Sequence, residues 1–210
     1  MKQALILVLL GCYMVGCSGV GSVYPIYTPD NMVALSGVLG TWIVKDKEDL
    51  VVISSGEHGS FKLRFREDDG TLNTFDVHLT RIGGALFADL FSQGGSKDAP
   101  LSMPVHLFAK VEFAEGALRL FLPNAKWVET RLDQRPSVIH HIKAYAKGEE
   151  GWIYLTDGTR QVRSFLKKCA TSPEAFVEDK ELTLGKVSDS QDLPPAKPEA
   201  GDKTEQNPSK

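Results

Sequence analysis

Along most of this chain the hydrophobic period is two. From Phe61 to Arg66 apolar and basic residues alternate without a break, the pattern of a strand with one buried face and one wet face. Glu67-Asp68-Asp69-Gly70 follows, and Asp-Gly predicts a hairpin because both residues tolerate positive φ. The returning strand carries Phe75, Val77 and Leu79 on one face and Thr74, Asp76, His78 and Thr80 on the other. Further strands are predicted at 38–46, 50–54, 85–91, 104–113, 117–122, 138–145 and 152–156, most of them separated by short Gly-rich or charged turns. A mainly β fold follows: an antiparallel meander closing into a barrel of about eight strands, since closure removes exposed strand edges.

Two helical segments interrupt the alternation. Asn124 can cap a helix that runs to about Gln134, with Trp127, Val128 and Leu132 as its apolar side and Pro136 beyond its end. After Asp157, residues Val162, Phe165, Leu166 and Cys169 fall at i, i+3, i+4 and i+7, one stripe facing a core, and Pro173 marks the stop. Cys169 is therefore expected to be a buried small apolar residue.

The two ends of the chain read differently from the body. Lys2 is followed by apolar residues from Ala4 to Val15, broken by Gly11, and then by small residues, the order of a secretory signal. A membrane-spanning helix needs about 20 apolar residues. Gly16, Gly19, Gly21, Ser18, Ser22 and Pro25 argue against extending the apolar run that far. From Lys186 onward four prolines and the lack of any aromatic residue predict a disordered tail. The expected organisation is a signal peptide at 1–16, a flexible leash at 17–34, a barrel domain at 35–185 and a tail at 186–210.

Net charge is −3, with no excess of Lys and Arg to draw the chain onto a polyphosphate, so nucleic acid is not an expected partner. Cysteines at 12, 17 and 169 are too few for a disulfide framework.

Met14-Val15-Gly16-Cys17 resembles the lipobox of bacterial lipoproteins, in which a small residue precedes a cysteine that is acylated and becomes the new N-terminus. The resemblance implies cleavage before Cys17, palmitate-type acyl chains on it, and the lipid bilayer as partner. One acyl chain binds only marginally, so two or three on one cysteine are what would make the anchor last. Leu9-Leu10-Gly11-Cys12 is an alternative that leaves eleven residues before the cut; Cys17 is preferred. Ser18 stands where inner-membrane lipoproteins of Gram-negative bacteria commonly carry aspartate, which implies the outer membrane and a periplasmic body if the cell is of that type. Gly40-Thr41-Trp42 is similar to the opening motif of lipocalins, whose eight-stranded barrels hold small apolar ligands. The segments 75–91, 103–113 and 155–176 resemble uncharacterised secreted bacterial proteins and transfer no activity.

Polar residues offer little for an enzyme. Asp76 and His78 share a strand face, and His106 lies nearby in type, so a base with an orienting carboxylate is conceivable. Their face lies opposite Phe75, Val77 and Leu79 and across from Lys62, Arg64 and Arg66, which predicts a wet outer wall with cross-strand ion pairs. His140 and His141 point to opposite faces of a strand, a poor geometry for one metal. No hydrolase, phosphate-loop or dinucleotide fingerprint occurs, and no catalytic residue, metal or cofactor is implied. Asp89 is the odd position: it shares a face with Phe87 and Phe91, so either a carboxylate points into the barrel or the phenylalanines point out beneath a helix, the second being preferred. The linker 92–103 is expected to form a mobile rim.

Two functions are carried forward. One is an anchored envelope lipoprotein holding an apolar or amphipathic ligand, with Trp42, Phe87 and Asp89 near the cavity. The other is a non-catalytic structural or assembly protein whose barrel is filled.

Overall fold

The structure, a computed structural model, describes residues 19–45, 47, 49–66, 70–92, 105–114, 116–144 and 151–192. The predicted signal peptide, Cys17, most of the linker 92–103 and the tail beyond Asp192 lie outside the described residues. Strands β2 (Gly40–Val44), β3 (Leu50–Ser55), β4 (Phe61–Arg66), β5 (Leu72–Ile82), β6 (Ala85–Ser92), β7 (His106–Ala114) and β8 (Ala117–Pro123) pair successively as an antiparallel meander. β11 (Phe176–Ser188) lies between β8 and β2, antiparallel to both, and closes an eight-stranded barrel. The alternation read from the sequence is the one that fills it. Phe61, Leu63 and Phe65 face the lumen opposite Phe75, Val77 and Leu79, and all six are buried.

The eighth strand differs from the expectation. The segments 138–145 and 152–156 were expected in the meander, but they form β9 (His141–Ala144) and β10 (Trp152–Leu155) outside the barrel. β11 takes their place, and it reaches Ser188, past the expected domain end at 185. Its period is masked by the charged run from Glu178 to Glu181 and by register shifts at both ends, so only Leu182 and Leu184 report the core face. Beyond it, Thr41 Oγ1 donates to Ser190 O at 2.8 Å and Arg64 Nη2 to Gln191 O at 2.7 Å, so the ordered chain runs several residues into the segment expected to be a tail.

Both predicted helices are present. α1 (Ala125–Gln134) begins directly after β8, where Pro123 ends the ladder and Asn124 caps the helix by accepting from Trp127 N at 3.2 Å. α2 (Thr159–Cys169) buries Val162, Phe165, Leu166 and Cys169, each at 4% exposure or less. Full burial of each large apolar side chain contributes about 1.5–3 kcal/mol, which is what holds a short, otherwise basic helix in place.

The helices cover the outer wall of the barrel rather than one of its ends. Phe87 and Phe108 project outward from β6 and β7 into a second core with Val128 and Leu132 of α1 and the α2 stripe. β1 (Gly19–Ser22) completes this layer. It runs parallel to β10, which pairs with β9, and antiparallel to the first residues of β7. Because β8 turns away into α1, its pairing with β7 covers only Lys110 to Ala114, and β1 takes up the vacated edge at His106 and Leu107. Among the described residues no helix is long and apolar enough to cross a membrane.

Candidate functional site

Three features carry the candidate chemistry: the N-terminal segment, the buried polar cluster it covers, and the barrel lumen. The segment 17–34 was expected to be a leash, and from Gly19 onward that expectation is corrected. All four residues of β1 are buried in mid-sheet. Glycine is flexible in isolation, yet here its missing side chain makes room for neighbours. A Cβ on Gly19 would lie 2.6 Å from the Trp152 ring, and one on Gly21 would lie 2.4 Å from Val105 Cγ1.

Residues 23–34 then cross the outer wall as a strap. Ile26, fully buried, has its two backbone groups held from two different elements: its N–H donates to Asp89 Oδ2 at 2.7 Å, and its carbonyl accepts from Arg163 Nη1 of α2 at 2.6 Å. Arg163 also donates to Thr80 Oγ1 at 3.1 Å and Arg81 O at 2.9 Å. Thr28 and Asn31 cap a short 3-10 turn, and Val33 N donates to Leu79 O at 2.8 Å. The strap therefore belongs to the folded body.

Asp89 is fully buried, and like Phe87 it sits on the outer face of the wall. This is the arrangement preferred from sequence, and the covering elements are the strap and α2. Its second oxygen, Oδ1, pairs with His106 Nδ1 at 2.7 Å, while the His106 ring lies against Phe91 at 4.8 Å. His78 is the cross-strand partner of Asp89 and stacks on Tyr27 at 3.8 Å. Burial holds His78 below its usual pKa, against the pull of Asp89 and Asp76. Burial also raises the Tyr27 phenol, with Asp89 and Asp76 adding to the effect. His78 was expected on a wet wall facing basic residues. Only Asp76 meets that description, 3.3 Å from Lys62 Nζ, because the strap covers the next position of the same face.

An Asp–His pair is half of an acid-base device. Here both Asp89 oxygens are engaged in fastening, one to the strap and one to β7. Ser22, the cross-strand neighbour of His106, accepts from Tyr24 N at 3.2 Å. The arrangement thus acts as a staple. Cys169 is buried on the α2 stripe, and burial pushes its thiol up to about 12. His140 pairs with Asp157 at 2.8 Å, which with a backbone hydrogen bond from His140 holds that carboxyl below its ordinary range. Among the described residues no three His, Cys, Asp or Glu side chains gather to hold a metal ion.

Trp42 is placed apart from Phe87 and Asp89. It is fully buried in the lumen, donates from Nε1 to Val38 O at 2.9 Å, and meets Phe113 edge-on at 6.2 Å. The three residues named as a ligand site lie on the two sides of the barrel wall, Trp42 in the lumen and Phe87 and Asp89 on the outer face. Among the described residues the lumen shows two apolar cavities of about 40 and 30 Å³, with Leu63, Leu90 and Leu120 lining both.

One surface escaped the sequence reading. Val20, Ile153 and Leu155 point into the second core, so Gly19, Gly21, Trp152 and Tyr154 occupy the opposite face of the small sheet. Ile142 is paired with Tyr154 and Leu107 with Gly21, and both join that face. Leu107 also lines the larger cavity, so the ledge continues the lumen surface outward where β7 and β8 separate. The signal was present: Trp-Ile-Tyr-Leu is apolar on both faces, unlike the half-wet strands of the barrel. No protein-family model, curated protein or solved structure matches this chain.

Proposed function

We propose that the chain is an envelope lipoprotein, cut before Cys17 and acylated there, whose barrel is a filled, non-catalytic scaffold. The observation that carries this reading is where the motif falls relative to the fold. Gly19, two residues after Cys17, is already held in β1, so cleavage inside Met14-Val15-Gly16-Cys17 removes the apolar leader and leaves the acylated residue directly beside the sheet. Cleavage before Cys12 would leave an apolar stub of Tyr13 to Val15 on the mature protein. In a Gram-negative cell Ser18 favours the outer membrane, with the body in the periplasm.

The lumen favours the scaffold over the carrier. Ligand sites commonly enclose about 300–1,000 Å³, whereas the lumen cavities lined by described residues are about 40 and 30 Å³. Mass analysis of the N-terminal peptide of protein purified from its own membranes tests the anchor: the expected mass is that of a peptide starting at Cys17 and bearing acyl chains. An unmodified peptide starting elsewhere overturns it. Native mass spectrometry of the same preparation tests the scaffold, and a stoichiometric co-purifying lipid in addition to the covalent one would restore the carrier reading.

A further inference from the structure

We propose that the ledge of Leu107, Ile142, Trp152 and Tyr154, packed beside the buried Gly19 and Gly21, lies on the bilayer, so that the anchored domain is held in one orientation with this face in the headgroup region. The proposal rests on acylation of Cys17 and adds to it the surface that meets the lipid.

The first step is reach. Two residues of extended chain span at most about 7 Å, so the Cys17 Cα lies no farther than that from Gly19, the first residue of β1. With no leash, the domain cannot stand off the membrane, and some surface beside Gly19 must touch it. β1 has two faces. One is sealed, with Val20 at 1% exposure in the second core beneath the helices. The other is the ledge.

The second step is chemistry. Trp152 and Tyr154 are half-buried and lie nearly parallel, 5.8 Å apart at 14°, with the Trp152 ring over Gly19. Their rings pair an apolar body with a polar edge, the combination enriched where membrane meets water. Ile142 beside them is 54% exposed, and an apolar side chain so placed gains by entering lipid. None of the six residues is charged. Lys143, between Ile142 and Ala144, points the other way, to Glu129 at 3.1 Å and Asp133 at 2.7 Å on α1. The strand thus sorts its described charge, Lys143, to the helix side, away from Ile142. The barrel end bearing Leu107 and Leu122 is then the membrane-proximal one.

Brominated-lipid quenching tests this on the full mature protein, reconstituted in vesicles of phosphatidylethanolamine and phosphatidylglycerol, a fraction of them brominated near the top of the acyl chains. The chain has three tryptophans, so quenching of Trp152 alone removes up to about a third of the emission. Trp152→Phe should abolish that loss, and Trp127→Phe should preserve it. Should Trp152→Phe fold poorly, a fluorescent label on I142C, at an exposed position, should shift to the blue on reconstitution. The N-terminal peptide is weighed in the same sample. Acyl chains present with no quenching, or with quenching unchanged in Trp152→Phe, overturn the ledge while leaving the anchor standing. An unmodified peptide overturns both.

Discussion

Asp89→Ala should detach the strap from the barrel wall. The substitution removes the acceptor for Ile26 N–H and the partner of His106 Nδ1, both at 2.7 Å from a side chain with no solvent exposure. A hydrogen bond to a charged group contributes about 1.5–3 kcal/mol, and an orphaned buried donor costs about 1–3 kcal/mol. Water entering the vacated space recovers part of this, so the expected loss is about 3–5 kcal/mol. Asp89→Asn keeps one oxygen for Ile26 and an amide that can face His106, and should cost about 1–2 kcal/mol. Urea unfolding of the chain beginning at Ser18 measures both. Because Arg163 holds the carbonyl of the same residue, Asp89→Ala and Arg163→Met should be non-additive in a double-mutant cycle. A loss below about 1 kcal/mol for Asp89→Ala, or additivity within about 0.3 kcal/mol, would refute the staple.

Three further outcomes follow from packing and charge. Arg119 grips Glu181 through two 2.7 Å contacts and, with Thr183 and Lys45, holds its carboxyl from the usual 4.5 down to about 2. A depressed carboxylate pKa stabilises the fold fully above 4.5 and is lost as pH falls toward 2. Arg119 is 40% exposed, so after screening the loss is about 1–2 kcal/mol, read as a drop in urea midpoint on acidification that is smaller in Glu181→Gln. Leu90→Ala should join the two lumen cavities at a cost of about 2–5 kcal/mol and admit xenon or benzene, detected by ligand-induced rise in Tm; no binding would mean that the barrel collapses around the gap. Cys169, with its thiol pushed up to about 12, should resist iodoacetamide at pH 8 in the folded protein and react in urea; rapid labelling of the native state would contradict its burial.

Much of the barrel was legible locally. Phe61 to Arg66 and Phe75 to Leu79 each declare their inner face within a few residues, and Asn124 and the stripe from Val162 to Cys169 declare the helices in the same way. Asp89 was legible as an anomaly, since its neighbours Phe87 and Phe91 demanded a cover on the outer wall. What covered it was not legible, because Ile26 lies 63 residues away in a segment whose composition resembles a linker.

The sequence by itself determined that this protein is a mainly β barrel with two amphipathic helices, because strand and helix periods are written in the spacing of apolar residues. Only the tertiary structure decided that β11 rather than β9 and β10 closes the barrel, since pairing depends on which edges are open and not on any property of the strand alone. It also decided the fate of Gly19 and Gly21. Their composition predicts freedom, but the Trp152 ring and Val105 fill the space their missing side chains leave, and that packing holds a nominal leash inside the sheet.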